Sequence, residues 1–175
     1  MSGGGNVDRT RLEYILDSIN RWIQHSDSKA GFVMAGNSLI IAGLASSMRG
    51  LVIPFFDFGC ASSVIFSLLL ICAASGIVSS TCFAIAAVSP RLTIKQPTSN
   101  IYFGHIAAKQ DRKQFVKSIA TITPEDYCDD LANQIYVNAL ICWKKHTYVS
   151  TSFRLMASSV IFVVVCLGLL LGRTL

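Results

Sequence analysis

The side chains able to do chemistry gather where apolar stretches of this chain begin and end. Asp27, Lys29 and Asn37 lie along the approach to a first apolar stretch, Arg91 follows a second, and Lys144, Lys145 and Arg154 precede a third. Cationic groups at such boundaries usually anchor helices at lipid headgroups. Asn37 is different, because a side-chain amide about two turns inside an apolar span needs a partner and should face another helix or a water-filled path. Gln134 and Asn138, four residues apart, share a helix face with Leu131, Ile135 and Cys142. Polar groups on an apolar stripe point to an interhelical hydrogen-bond network or to contact with a small ligand. These groups bind and orient; they do not form an acid–base pair, and no catalytic residue is expected. GxSxG, HExxH, phosphate-loop and kinase signatures are all missing from the chain. His25, His105 and His146 are scattered, so no metal or other cofactor is expected. The acidic group Glu125, Asp126, Asp129 and Asp130 is explained by its place in the first turns of a helix.

The elements that position these residues follow from composition. Of the 175 residues, 52% are hydrophobic and 14% charged, against about 25% charged in soluble proteins; mean hydropathy is +0.52. A disordered chain and a freely soluble enzyme are excluded. Three stretches are long enough to cross a bilayer, which takes about 20 mostly apolar residues. They run from Gly31 to Met48, from about Cys60 to Val88, and from Leu155 to Gly172. Four Lys or Arg precede the first, one lies between the first two, nine lie between the second and third, and one follows the third. That alternation predicts three crossings with the N-terminus in the cytoplasm. Topology therefore accounts for the net charge of +5, and no nucleic-acid surface is needed.

The predicted fold is an all-α integral membrane protein, with three transmembrane helices and helical cytoplasmic extensions. Residues 1–30 form a tail and an amphipathic helix, 31–89 the first two spans, 90–153 a cytoplasmic sensing segment and 154–175 the last span. The start of the chain lacks the basic-then-apolar pattern of a signal peptide. Leu12, Ile15, Leu16, Ile19, Trp22 and Ile23 recur every three or four residues as one stripe, and no Gly or Pro separates that helix from the first span. Thr123 is a strong N-cap before Pro124, and neither Gly nor Pro follows until Gly168. A helix from 124 through the last span would run about 66 Å to Leu167. In the connecting segment, Tyr102, Phe103, Ile106, Phe115 and Ile119 are the expected apolar anchors, and Pro90, Pro97 and Gly104 the expected turns. The six cysteines include no CxxC pair, and most fall in spans or on the cytoplasmic side, so neither a disulfide framework nor a zinc site is expected.

Several of these segments together resemble the Pycsar membrane effector family. HSDSKAGFVMAGNSLIIAGL is similar to its opening signature, with Asp27, Lys29 and Ala30 followed by a span carrying Asn37. Pro90-Arg91 looks like the family's exit from the second span. Ile101 to Ala107, IYFGHIA, resembles its aromatic-aromatic-Gly element, and DLANQIYVNALICWKKH its helix leading to a lysine. The resemblance covers about 20–172. The family tends to place Lys-Tyr before the last span, whereas here His146 and Thr147 follow Lys145, and Tyr148 comes later.

The resemblance implies an antiphage effector of the bacterial inner membrane. A neighbouring pyrimidine cyclase would supply cyclic CMP or cyclic UMP as ligand, and the effector would then impair the membrane and abort infection. Three helices, one of them weakly apolar, make a poor pore alone, so a homo-oligomer in contact with lipid is expected. A cyclic nucleotide is a monoanion with a flat base, so its site needs a cation, amides and an aromatic face. Lys29, Arg91, Tyr102, Phe103, Gln134, Tyr136, Asn138 and Lys145 are the candidates, with Arg91 or Lys145 on the phosphate; Asp27 and Asn37 are candidates for gating. The alternative is a constitutive membrane scaffold with no nucleotide ligand.

Overall fold

A computed structural model describes residues 8–51, 60–89 and 99–174. Among the described residues five helices follow in order: α1, Arg9–Leu51; α2, Cys60–Val88; α3, Phe103–Ala107; α4, Arg112–Ala120; and α5, Pro124–Thr174. No strand occurs among the described residues. Three of the helices, α1, α2 and α5, are long and apolar enough to cross a membrane. The fold class read from the sequence holds.

The ends of the helices follow local chemistry. Asp8 accepts from the Thr10 amide at 3.0 Å and so satisfies one of the unpaired N–H groups that open α1. At α5, Thr123 Oγ1 accepts from the Asp126 amide at 3.1 Å and donates to the Asp126 carboxylate at 2.8 Å. This is the cap expected ahead of Pro124, and α5 continues for 51 residues without a break. Asp111, not singled out in the sequence, caps α4 by accepting from the Gln114 amide at 2.7 Å.

The chain divides into two compact units. One comprises the chain up to His25 together with Ser89–Lys144; the other comprises Ser26–Val88 and Lys145–Leu175. In the first unit α1 and α5 run parallel: Tyr127 meets Glu13, and Asn138 donates to Asn20 Oδ1 at 3.0 Å. Leu12 and Leu131 are buried there. The Arg9 guanidinium lies 4.8 Å from the centre of the Tyr127 ring. Trp22, expected on the buried stripe, is 57% exposed and edges onto His25 instead. Successive helical residues are 100° apart, so a stripe read over three turns drifts off a straight contact line. Of the expected anchors, Tyr102, Ile106 and Phe115 are half-buried, while Phe103 and Ile119 are exposed. Gly104 is buried inside α3 rather than at a turn; Pro90 and Pro97 lie outside the described residues.

In the second unit, Ala30, Val33, Ala84, Ala87 and Val149 form a core with Met34, Tyr148 and Met156 packed on it. Small side chains let three backbones approach closely, the usual basis of helix packing in lipid, where apolar burial gives little drive. Gly76 marks the tightest approach: a Cβ there would sit 2.2 Å from Ser159 Oγ. Leu39, Ile71, Val78, Ile161 and Val164 point outward with at least 59% of their surface exposed. Such an outer face is stable against lipid and costly against water. Cys72, Cys82, Cys128, Cys142 and Cys166 are all reduced thiols.

Candidate functional site

The polar centre of the second unit is built around Asn37. Its side chain is 1% exposed, and Nδ2 donates to Ser80 Oγ and to Thr81 Oγ1, each at 3.0 Å. Ser80 Oγ in turn donates to the Ser152 carbonyl at 2.8 Å, and Ser152 Oγ donates back to the Ser80 carbonyl at 2.6 Å. Thr81 Oγ1 donates to the Ile77 carbonyl at 2.9 Å. Both hydroxyl protons facing Asn37 are therefore committed to carbonyls, so only its NH₂ group can point at them. That assignment leaves Asn37 Oδ1 buried without a hydrogen-bond partner among the described residues. The amide has the interhelical partner its depth requires, and the network ties α1, α2 and α5 together. Ser80 and Ser152 were not singled out from the sequence. A serine inside an apolar run dilutes hydropathy without showing which way it points.

Near the start of the apolar parts of α1 and α5, Lys145 Nζ donates to the Asp27 carboxylate. The lysine side chain is 16% exposed and the aspartate 37%, so the pair is partly withdrawn from water. A cavity of about 530 Å³ opens in the same unit. Lys29 and Phe32 from α1 line it with His146, Phe153, Arg154 and Met156 from α5.

The first unit holds a second polar assembly. The Asn100 amide donates to Asp130 Oδ2 at 2.8 Å, while Asn100 Oδ1 accepts from Lys109 Nζ and from Ser118 Oγ. Lys109 Nζ also reaches Ser118 Oγ at 2.5 Å and lies 5.2 Å from the centre of the Phe115 ring. Ser99 Oγ accepts the amides of Ile101 and Tyr102, and its own amide donates to His105 Nδ1 at 3.1 Å. The Tyr102 ring packs on Phe103 at 4.8 Å and edge-on to His105 at 5.0 Å. These bonds fix the segment before α3 and pin it to α5 through Asp130.

The candidates from the sequence are thus distributed. Tyr102, Phe103, Gln134, Tyr136 and Asn138 belong to the first unit, and Lys29, Lys145, Asp27 and Asn37 to the second. Arg91 lies outside the described residues. Gln134 is buried beside Leu131 on the face expected for it, and Asn138 bonds to Asn20. Tyr136 and Phe103 expose 67% and 64% of their surface. No group of three His, Cys, Asp or Glu side chains is arranged to hold a metal among the described residues.

Three long apolar helices joined by a buried amide–hydroxyl network define a helical membrane protein. A family model of the Pycsar effector protein domain matches residues 11–172, and the chain belongs to that family of transmembrane effectors. It is 25% identical over 177 aligned positions to the Pycsar effector protein GmPycTM of Gulbenkiania mobilis, covering 85% of this chain and 86% of that protein. No solved structure matches it. Membership makes this chain an antiphage defence effector of a non-enzymatic type.

Proposed function

We propose that the chain is an inner-membrane effector switched on by a cyclic pyrimidine nucleotide, cyclic CMP or cyclic UMP, and that it then impairs the membrane and aborts infection. The observation that carries this reading is the family match, which runs from residue 11 to 172 and so takes in the helical parts flanking the spans as well as the spans themselves. A cyclase acting nearby supplies the ligand. The excess of Lys and Arg before the first span and between the second and third orients the N-terminus to the cytoplasm, where that ligand is made.

The chemistry on offer supports nucleotide sensing. In the second unit, Lys145 is held by Asp27, and a phosphodiester anion competes with that carboxylate for the ammonium. In the first, the exposed rings of Phe103 and Tyr136 offer stacking faces, and Gln134 and Asn138 carry amides. Arg91 remains a candidate for the phosphate. Asn37 and Asp27 serve gating, because each holds a contact that must be exchanged if the helices rearrange. Three helices make a poor pore alone, so several copies act together.

Titration calorimetry of the full chain in detergent with cyclic CMP and cyclic UMP tests the first half. One of the two binds, and Lys145→Ala weakens it. A membrane-potential dye in cells expressing the chain tests the second half, with depolarisation following the same nucleotide. A protein that inserts normally, binds neither nucleotide and leaves the potential unchanged is a constitutive scaffold, and the reading fails.

A further inference from the structure

We infer that the groove between α1 and α5 in the second unit is a binding site for one anionic phospholipid. Its phosphodiester sits on Lys29 and Arg154, and an acyl chain lies along Phe32, Phe153 and Met156. The inference rests on the spans and not on nucleotide activation.

The first observation is the depth of Arg154. In this unit α1 and α5 run parallel, since Asp27 pairs with Lys145 and Gly36 approaches Met156. Arg154 lies nine residues beyond Lys145, about 13 Å along the helix, and Lys29 only about 3 Å beyond Asp27. The Arg154 backbone is therefore about 10 Å farther along the bundle than that of Lys29, beside the apolar stretch of α1 that holds Gly36. A guanidinium there is costly unless it reaches back to the interface and meets an anion. Helical side chains lean toward the N-terminus of their own helix; on α5 that direction is toward the Lys29 end of the groove.

The second observation is that no countercharge is supplied among the described residues. Between Asp27 and Asp111 the sole acidic residue is Asp57, and none follows Asp130. The Asp27 carboxylate is taken by Lys145. Neither Lys29 nor Arg154 has an ion-pair partner among the described residues, and no acidic side chain lines the groove.

The third is the character of the remaining walls. Val33 and Val149 form an apolar floor, and Phe32 and Phe153 stand at the sides with 77% and 57% of their surface exposed. Apart from the cations and His146, the lining offers a single polar side chain, Ser150. A nucleobase edge needs several amide or hydroxyl partners; an acyl chain needs none. Two cations at the mouth of an apolar trough of about 530 Å³ suit a phosphate with a hydrocarbon tail.

The test uses the full chain purified in a nonionic detergent. Native mass spectrometry and thermal unfolding are followed as dioleoyl phosphatidylglycerol or dioleoyl phosphatidylcholine is added. One phosphatidylglycerol per chain is retained saturably and raises the melting temperature, and phosphatidylcholine does neither. Lys29→Gln and Arg154→Gln each weaken retention by about tenfold, the loss of one charge-assisted hydrogen bond. Lys144→Gln, outside the groove, leaves retention unchanged, and Arg154→Lys retains the lipid if Arg154→Gln does not fold. Equal retention of the two lipids, or no effect of either glutamine variant, overturns the inference. So does displacement of the lipid by cyclic CMP or cyclic UMP, combined with loss of nucleotide binding in both glutamine variants, since the groove is then the nucleotide's. Failure of the nucleotide to bind at all leaves the lipid measurement standing.

Discussion

The contact between Gly76 and Ser159 gives the sharpest stability test of the packing in the second unit. A methyl group placed on Gly76 falls 2.2 Å from Ser159 Oγ, but 3.5 Å from Ser159 Cβ and 3.6 Å from the Leu155 carbonyl. The backbone and Cβ contacts are ordinary, so the clash belongs to the hydroxyl alone. That hydroxyl donates to the Leu155 carbonyl at 2.8 Å, in a residue with no exposed surface. Gly76→Ala must therefore rotate Ser159 out of its bond. Hydrogen bonds within membrane helices are worth about 0.6 kcal/mol on average and up to about 1.7 kcal/mol; with the crowding of the rotated hydroxyl, the loss comes to about 1–2 kcal/mol. Against it stands the gain of replacing Gly by Ala in a helix, about 0.5–1 kcal/mol. The single variant is thus destabilised by about 1 kcal/mol or less. In a Ser159→Ala background the clash disappears and only the helix gain remains. The same Gly76→Ala change then stabilises, and the cycle shows a coupling of about 1–2 kcal/mol. Unfolding of the four proteins in mixed detergent micelles, followed by far-UV circular dichroism, measures it. Additivity within about 0.3 kcal/mol would show that α2 and α5 do not approach as described.

Further expectations concern the polar contacts. Breaking the Asp27–Lys145 pair by Asp27→Asn costs about 1–2 kcal/mol in the same assay, below the 3–5 kcal/mol of a fully buried pair because the aspartate is more than a third exposed; the exchanged pair Asp27→Lys with Lys145→Asp recovers most of it. Asn37→Ala removes two interhelical bonds and lowers stability by about 1–2 kcal/mol, and a Ser80→Ala background shrinks that effect. Thr123→Ala costs about 1 kcal/mol at the start of α5, read as a lower melting temperature. Single-cysteine labelling at Asp17 and at Gly172 in intact cells should place the former inside and the latter outside; reaction of both from one side contradicts three crossings.

The elements whose cause is local are legible in the amino-acid sequence. Pro124 behind Thr123 announced the start of α5, and the lack of Gly or Pro up to Gly168 announced its length. The demand of Asn37 for a partner was legible because an amide in a span has few alternatives. Its identity was not, since Ser80 and Thr81 are far from it in sequence and only the rotation of each helix brings them inward. The same limit hid the groove: Arg154 reads as the edge of a span until its height is compared with that of Lys29 on a neighbouring helix. Trp22 and Phe103 failed as buried anchors because both lie on faces that an apolar periodicity alone does not distinguish from the contact line.

Each hydroxyl of the Ser80–Ser152 pair donates into the other residue's backbone, so the two bonds share one register and neither can lengthen alone. Sliding α5 along α2 by a fraction of a turn would break both bonds together and leave each hydroxyl to turn back onto a carbonyl of its own helix, as Ser159 does on Leu155. Any motion between these helices that exchanges one pair of bonds for another would thus go by discrete steps, and a leak that depended on it would open abruptly rather than by degrees.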